Sequence, residues 1–527
     1  MNSISRRHLM QAGVGTLMGM PLAALAQAAR GGVLVIGSTQ KPRHLNSAVQ
    51  SGIATMFPAA QLFASPLRMD AQWKPQPYLA EKWALSSDNR SVSLTLRKDA
   101  VFHDGRPITS EDLKFSIETI RDNHPFKSMY APVNAVTISD AQTAVVRLAE
   151  PHPALLLAMS TSLTPIIPKH IFGDGADPKV HPRNANPVGS GPFRLVEFKP
   201  GEHIVMERFD RFFLKDFPRL DRLIVKEYKD TASLLLAFER GEIDVHPALA
   251  DPRDLERAKK IPGVQLVTGA QPAIGPLLWL AFNTKSPKLA DKRVRQAISF
   301  AIDRKFIVGT LFGGLHKVAT GPIASGSPFY TSEVEPYALN LAKATQLLDA
   351  AGLKPGAGGV RMSIEIDILP GLNDVKTMGE YLKPALSKIG IDVVLRTSPD
   401  FPTWARRVAS QQFEATFDSV WNWGDPVIGV HRTWASSNIK PGVIWSNTQS
   451  YSNPRVDQLL ESAAKEMDLA KRKPMYKEMQ KIVVDDCPVA FLVESNVTEG
   501  YLAKVAQPPR GIWGMVDAMA EVGIRKA

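Results

Sequence analysis

The sequence predicts an α/β protein with a parallel sheet in its second half, and three observations carry that prediction. Val360, Met362, Ile364, Ile366 and Ile368 alternate with Arg361, Ser363, Glu365 and Asp367, the period of a strand with one buried face. A helical pattern follows over about 375–389 and stops at Gly390, after which the β-branched run 391–395 reads as the next strand. A short helix around 403–410 then leads into a third strand at 414–420. Strands alternating with helices pair in parallel through crossover connections. In open sheets of this kind ligands gather beyond the carboxyl ends of the strands. Here those ends are Leu369-Pro370-Gly371, Thr397-Ser398-Pro399 and Trp421-Asn422-Trp423.

Elsewhere the elements follow from the same rules. Residues 33–37 form a short buried strand, and 91–96 alternate apolar with polar. His103-Asp104-Gly105-Arg106-Pro107 is a turn. Thr109 or Ser110 caps a helix that runs through Leu113, Phe115, Ile117 and Ile120. The Gly- and Pro-rich stretch 186–192 is a loop, followed by strands near 193–198, 203–208 and 222–228 and a helix at 231–240 that ends at Gly241. Asn453 caps, and Pro454 opens, a helix with apolar positions Val456, Leu459, Leu460, Ala463 and Met467. A second helix carries Met475, Met479, Ile482 and Val483, and 489–493 is a buried strand. No internal repeat of 20–50 residues is visible, which argues against a solenoid or propeller.

The chain has 527 residues, enough for roughly three domains or lobes. With 44% hydrophobic and 22% charged residues it reads as an ordinary globular protein. Residues 1–28 are set apart. Arg6-Arg7 precedes a mildly apolar, Gly-rich stretch, and Ala24-Leu25-Ala26 and Ala26-Gln27-Ala28 both fit a small-x-small cleavage site. This predicts a signal peptide of the twin-arginine type and a periplasmic destination. Loss of Arg6 and Arg7 with the leader lowers the net charge from +11 to +9. The remaining basic residues are scattered among acidic ones with no basic run interleaved with aromatics, which argues against a nucleic-acid partner. The single cysteine, Cys487, excludes an internal disulfide framework and a cysteine-ligated metal cluster.

Catalytic motifs are scarce. The sequence has no Gly-x-Ser-x-Gly elbow, no phosphate loop and no His-Glu-x-x-His, and its eleven histidines show no metal-ligand spacing. Ser38-Thr39-Gln40-Lys41 fits a Ser-x-x-Lys pattern, which keeps open an exported serine hydrolase or transferase with Ser38 as nucleophile and Lys41 as base. The tryptophans point elsewhere. Four of the nine, Trp421, Trp423, Trp434 and Trp445, fall between positions 421 and 445. Indole offers a large rigid area with one polar handle, which suits a ligand wall. The candidate ligand contacts are therefore Trp421, Asn422, Trp423, Asp425, Arg432 and Trp434 around this loop. Trp279, in an apolar run after Gly275-Pro276, Gln40 in the loop after the first strand, and Gly371 at a strand's carboxyl end complete the set.

Several blocks resemble one known family. They are Leu79-Ala80-Glu81-Lys82-Trp83, then Val101-Phe102-His103-Asp104-Gly105-Arg106-Pro107, and then Pro187-Val188-Gly189-Ser190-Gly191-Pro192-Phe193. Asp291-Lys292-Arg293-Val294-Arg295-Gln296-Ala297-Ile298 through Ala301-Ile302-Asp303-Arg304 is the strongest of them, and Cys487-Pro488-Val489 closes the series. In this order they resemble the extracellular solute-binding protein family 5, the periplasmic binding proteins of peptide and nickel ABC transporters. The resemblance implies an α/β, two-lobed periplasmic binding protein (Venus-flytrap) with an extra subdomain inserted in the first lobe. The expected division is lobe I at 29–75, 185–270 and 485–527, the inserted subdomain at 76–184, and lobe II at 271–484, with crossings near 264–283 and 485–496. It further implies a monomeric receptor, without catalysis or cofactor, that captures a peptide or other small polar solute and delivers it to a membrane permease. Peptide-binding members carry an aspartate four residues before the proline of the aromatic loop, where it pairs with the peptide's α-amino group. Here that position is Asn422, ahead of Pro426, so a free-amine peptide lacks its counter-charge.

Overall fold

The computed structural model describes residues 30–370 and 373–525, without the side chains of residues 373 and 374. The leader 1–28 and Gly371 lie outside the described residues. Two large sheets organise the chain. The first has seven strands in the order Gln265–Thr268, Thr498–Tyr501, Val245–His246, Val33–Ser38, Arg222–Glu227, His203–Arg208 and Phe193–Lys199. Val33–Ser38 runs parallel to the neighbours on both of its sides, and the other pairings are antiparallel.

The second sheet has six strands in the order Lys317–Val318, Val489–Glu494, Pro276–Phe282, Ala415–Trp421, Met362–Asp367 and Ile391–Arg396. Met362–Asp367 pairs in parallel with Ile391–Arg396 and with Ala415–Trp421, as the alternation of strands and helices requires. Helices Asn373–Ser387 and Phe401–Ala409 make the two crossovers. The parallel unit is only half of the sheet. Pro276–Phe282 joins it antiparallel, followed by Val489–Glu494, which lies past the lobe II boundary drawn at 484. Both strands are apolar at nearly every position because both of their faces are covered, so no alternation marks them in the sequence.

A four-stranded antiparallel sheet, Ala80–Leu85, Ser91–Leu96, Thr143–Leu148 and Val133–Ile138, sits within the 76–184 segment. Helix Ser110–Asn123 packs on it and begins at a capping box, in which the Thr109 amide donates to Asp112 Oδ2 at 2.9 Å. One hydrophobic core is continuous from this sheet into the first large sheet, and a second core fills the other body.

The motifs of the strongest sequence blocks hold the fold. The Arg304 guanidinium is buried and donates to the carbonyls of Phe491, Ser299 and Tyr337. Arg295 does the same for Cys487, Leu289 and Asp486. The Gly-Ser-Gly-Pro-Phe loop presses its backbone against the end of helix Ile53–Leu62, with the Ser190 and Gly191 amides donating to Leu62 O at 3.0 and 2.8 Å. A Cβ on Gly189 would stand 1.8 Å from that same oxygen. Gly189→Ala should therefore cost about 1–3 kcal/mol of stability. Urea unfolding measures this, and a loss near zero would show that the loop yields freely.

Candidate functional site

The chain passes between the two bodies twice. It leaves Gln265–Thr268 of the first sheet, crosses at 269–275 and enters Pro276–Phe282 of the second. It returns from Val489–Glu494 through 495–497 to Thr498–Tyr501. Beside these crossings lies a cavity of about 260 Å³. Ile53, Ala248 and Ala250 line it from the first body, and Gln271, Ile274, Ser495, Asn496 and Val497 from the crossings. The second body contributes Leu278, Phe312, His316, Ser419, Trp421 and Val493, among others.

Strand geometry decides which residues reach it. Successive side chains point to opposite faces, so Ser419 and Trp421 line the cavity while Asp418 lies on the other face of the same strand. Likewise Pro276 and Leu278 face the cavity, and Trp279 faces away. Its ring packs in the second core against Trp434 at 5.5 Å and Phe491 at 5.7 Å. Trp279 and Trp434 are each 1% exposed and are core residues, a correction to their place among the candidate contacts.

The aromatic loop divides its labour. Trp421 is half-buried at the cavity wall, with its ring edge-on to Trp423 at 5.3 Å. Trp423 belongs to the first body's core, where it packs on Phe126 at 5.0 Å. Asn422 is buried and internally satisfied: its Oδ1 accepts from the Ala324 amide at 2.7 Å, and its Nδ2 donates to Pro322 O at 3.3 Å. Asp425 caps the turn Pro426–Gly429 and accepts both arms of Arg472 at 2.6 and 2.7 Å. Burial works to raise the Asp425 carboxyl, but Arg472 outweighs it and holds it below the usual carboxylate range. The Arg432 guanidinium lies 5.0 Å from the centre of the Phe126 ring, and burial lowers it to about 10.

None of Asn422, Trp423, Asp425 and Arg432 is among the cavity's lining residues. They build the loop that presents Trp421. Gln40 is exposed in a turn closed by Ser38, whose Oγ donates to Gln40 O at 2.9 Å and accepts from the Gln40 amide at 3.0 Å. Ser38 Oγ thus has its partners within the turn and Lys41 is not among them. Sequence reasoning missed His316, Phe312 and the crossing residues. Ser419 was within reach, two residues before Trp421 on a recognised strand, whereas a lone histidine in a loop carries no signal.

A second, shallow groove of about 710 Å³ lies on the edge of the second body. Most of its charges answer each other, Lys288 with Glu414 at 2.8 Å and Arg396 with Glu365, while Lys285 on its rim has no ion pair among the described residues. Among the described residues, no group of three or more His, Cys, Asp or Glu side chains is arranged to hold a metal, and no helix is long and apolar enough to cross a membrane.

Residues 74–442 match the family model for bacterial extracellular solute-binding proteins, family 5. The chain belongs to this family. It is 25% identical to the oligopeptide-binding protein AppA of Bacillus subtilis, over 89% of this chain and 87% of that protein. It is 24% identical to the glutathione-binding protein GsiB of Pectobacterium atrosepticum, over 98% and 97%. Among solved structures, the ABC transporter substrate-binding protein CtaP of Listeria monocytogenes superposes with a TM-score of 0.81 at 26% identity, covering 94% of this chain and all of that one. AppA of B. subtilis in complex with a nonapeptide superposes with a TM-score of 0.80 at 23% identity, covering 95% and 100%. The two-lobed α/β binding-protein fold with an extra subdomain is thereby borne out. As a member of a non-catalytic family, this protein is the solute-binding component of an ABC importer and not an enzyme, which sets aside the serine hydrolase alternative.

Proposed function

We propose that this protein is a periplasmic, monomeric receptor, exported by the twin-arginine leader at 1–28, that captures its solute in the cavity between the lobes. One observation carries the reading: the cavity draws its walls from both bodies and from both crossing segments. A solute seated there gains contacts in the closed form that the open form lacks, and so shifts the hinge equilibrium. The closed complex then docks on an inner-membrane permease. The lobe division follows the crossings: 76–184 is the inserted subdomain, the second lobe starts near 271 and keeps the strand Val489–Glu494, and the chain re-enters the first lobe after 497. Peptide and glutathione binding among the relatives favours a peptide-like or similarly small solute. A solute that binds should raise the melting temperature and reduce the radius of gyration in small-angle scattering. Stabilisation without compaction would refute closure.

Asn422 tests the peptide reading. In Asn422→Asp the Ala324 amide keeps its acceptor, but a carboxylate oxygen then faces Pro322 O in a buried place. The expected result is a loss of about 1–3 kcal/mol of stability and no gain in calorimetric affinity for a free dipeptide. Tight dipeptide binding by this variant would show that position 422 serves the solute directly.

A further inference from the structure

We propose that the solute is a compact, uncharged molecule with an aromatic or otherwise apolar body, held by neutral hydrogen-bonding groups. This rests on the cavity between the lobes being the solute site, and it names the class of molecule taken there. Among the described residues, the lining carries no Asp, Glu, Lys or Arg. Its polar members are Gln271, His316, Ser419, Trp421, Ser495 and Asn496.

His316 does not supply a charge either. Its Nδ1 accepts from the Asn496 amide at 3.3 Å, which leaves the ring proton on Nε2, and burial lowers its pKa to about 4. The imidazole is therefore neutral at pH 7 and a donor. Trp421 Nε1 and Ser419 Oγ have no protein hydrogen-bond partner among the described residues, so the wall offers an N–H donor and a hydroxyl that serves as donor or acceptor. Gln271 is turned to the protein: its Nε2 donates to Glu499 at 2.8 Å.

The remaining wall is hydrocarbon and ring: Ile53, Ile274, Leu278, Phe312, Val375 and Val493. An ammonium or carboxylate desolvated against such a wall finds no counter-charge among the described lining residues, and its burial is costly. A neutral amide, ester or hydroxyl finds partners, while an aromatic or aliphatic body gains from leaving water. Size narrows the class further. The cavity's volume of about 260 Å³ lies just below the roughly 300–1,000 Å³ of pockets that bury drug-sized ligands, so it suits a small molecule more than an extended oligopeptide.

The test uses three probes that share one body: phenylacetamide, phenylacetate and phenethylamine, which are neutral, anionic and cationic at pH 7. Calorimetry and thermal melts are run on the mature protein and on its Ser419→Asp variant, which places a carboxylate in the wall. The expected result is phenylacetamide binding about tenfold or more tightly than either charged probe, with phenethylamine overtaking it in the variant. Equal or tighter binding of a charged probe by the unaltered protein overturns the neutral class and leaves the receptor reading standing. So does phenethylamine binding by the variant when the unaltered protein takes none of the three. If no probe binds to either protein, the cavity is not a solute site and both readings fall together.

Discussion

Arg472→Met should cost about 3–5 kcal/mol of stability, because it strands a carboxylate in the interior. Arg472 and Asp425 are buried, and their two hydrogen bonds are 2.6 and 2.7 Å long. The Arg472 Nε also donates to Ala463 O at 2.8 Å, and the guanidinium lies 4.8 Å from the centre of the Phe329 ring. Methionine fills the stem but serves none of these groups. The pair also has a signature in pH. With Arg472 present, the folded pKa of Asp425 lies below its unfolded value. Its contribution is complete above the unfolded pKa and is lost as pH falls through the folded one. In the variant burial, the largest influence on the carboxyl, is opposed chiefly by the capped Val427 amide, so the folded pKa rises above the unfolded one and the carboxyl destabilises most at neutral pH. The gap between the two proteins, read from denaturant curves, should thus narrow as pH drops from neutrality toward the ordinary carboxylate range. Adding Asp425→Asn to the variant should recover part of the loss, since the amide keeps the cap and carries no charge. A gap that stays constant with pH would place the cost in packing alone.

The elements legible from sequence are those with one wet face, which show a period, and the buried runs at 33–37 and 489–493, which stand out as short apolar stretches. The alternation of 360–368 is the strand Met362–Asp367, and the run after Gly390 is Ile391–Arg396. The cap at Thr109 and the Asn453-Pro454 start stand where they were read, with Asn453 Oδ1 accepting from the Arg455 amide at 3.0 Å. Pro276–Phe282 went unread as a strand, and the sheet to which the strand at 489–493 belongs was not legible, because strands covered on both faces show no period. The same blindness explains the tryptophans. Their clustering between 421 and 445 was visible, but the use of each ring was not. Trp421 and Trp279 lie on neighbouring strands and differ in which face they take, and that depends on register across the Pro276–Trp421 pairing. Asn422 shows another limit. Its position relative to Pro426 was counted correctly, yet its hydrogen-bond partners come from a loop about a hundred residues earlier, at Pro322 and Ala324. His316 reaches the cavity for a similar reason, through a contact with the second crossing at Asn496.

Trp423→Ala should lower stability by about 3–5 kcal/mol and weaken solute binding, although Trp423 is not part of the cavity wall. Its backbone has φ +51°, a conformation that costs a non-glycine residue energy and persists only when the surroundings enforce it. The enforcement is visible. The indole is 2% exposed, wedged between Trp421 and Phe126. Gly424 follows it, and a Cβ there would stand 2.8 Å from Leu157. Arg432 stacks over Phe126, and Lys465 reaches Glu150 at 2.8 Å. This places a second contact between the bodies away from the crossings, made by the inserted subdomain on one side and the aromatic loop on the other. Trp421 forms the cavity wall on one side and leans on that contact with the other. Loosening the contact frees the Trp421 ring and removes part of what the closed form gains. Phe126→Ala separates this coupling from simple loss of packing near the cavity, because Phe126 lies one ring further out. It should raise the solute off-rate with the cavity lining intact, and the double variant should show less than the sum of the two single effects. Stopped-flow release measured by Trp fluorescence reads both quantities. An unchanged off-rate in Phe126→Ala would mean that the inserted subdomain supports the loop without taking part in closure.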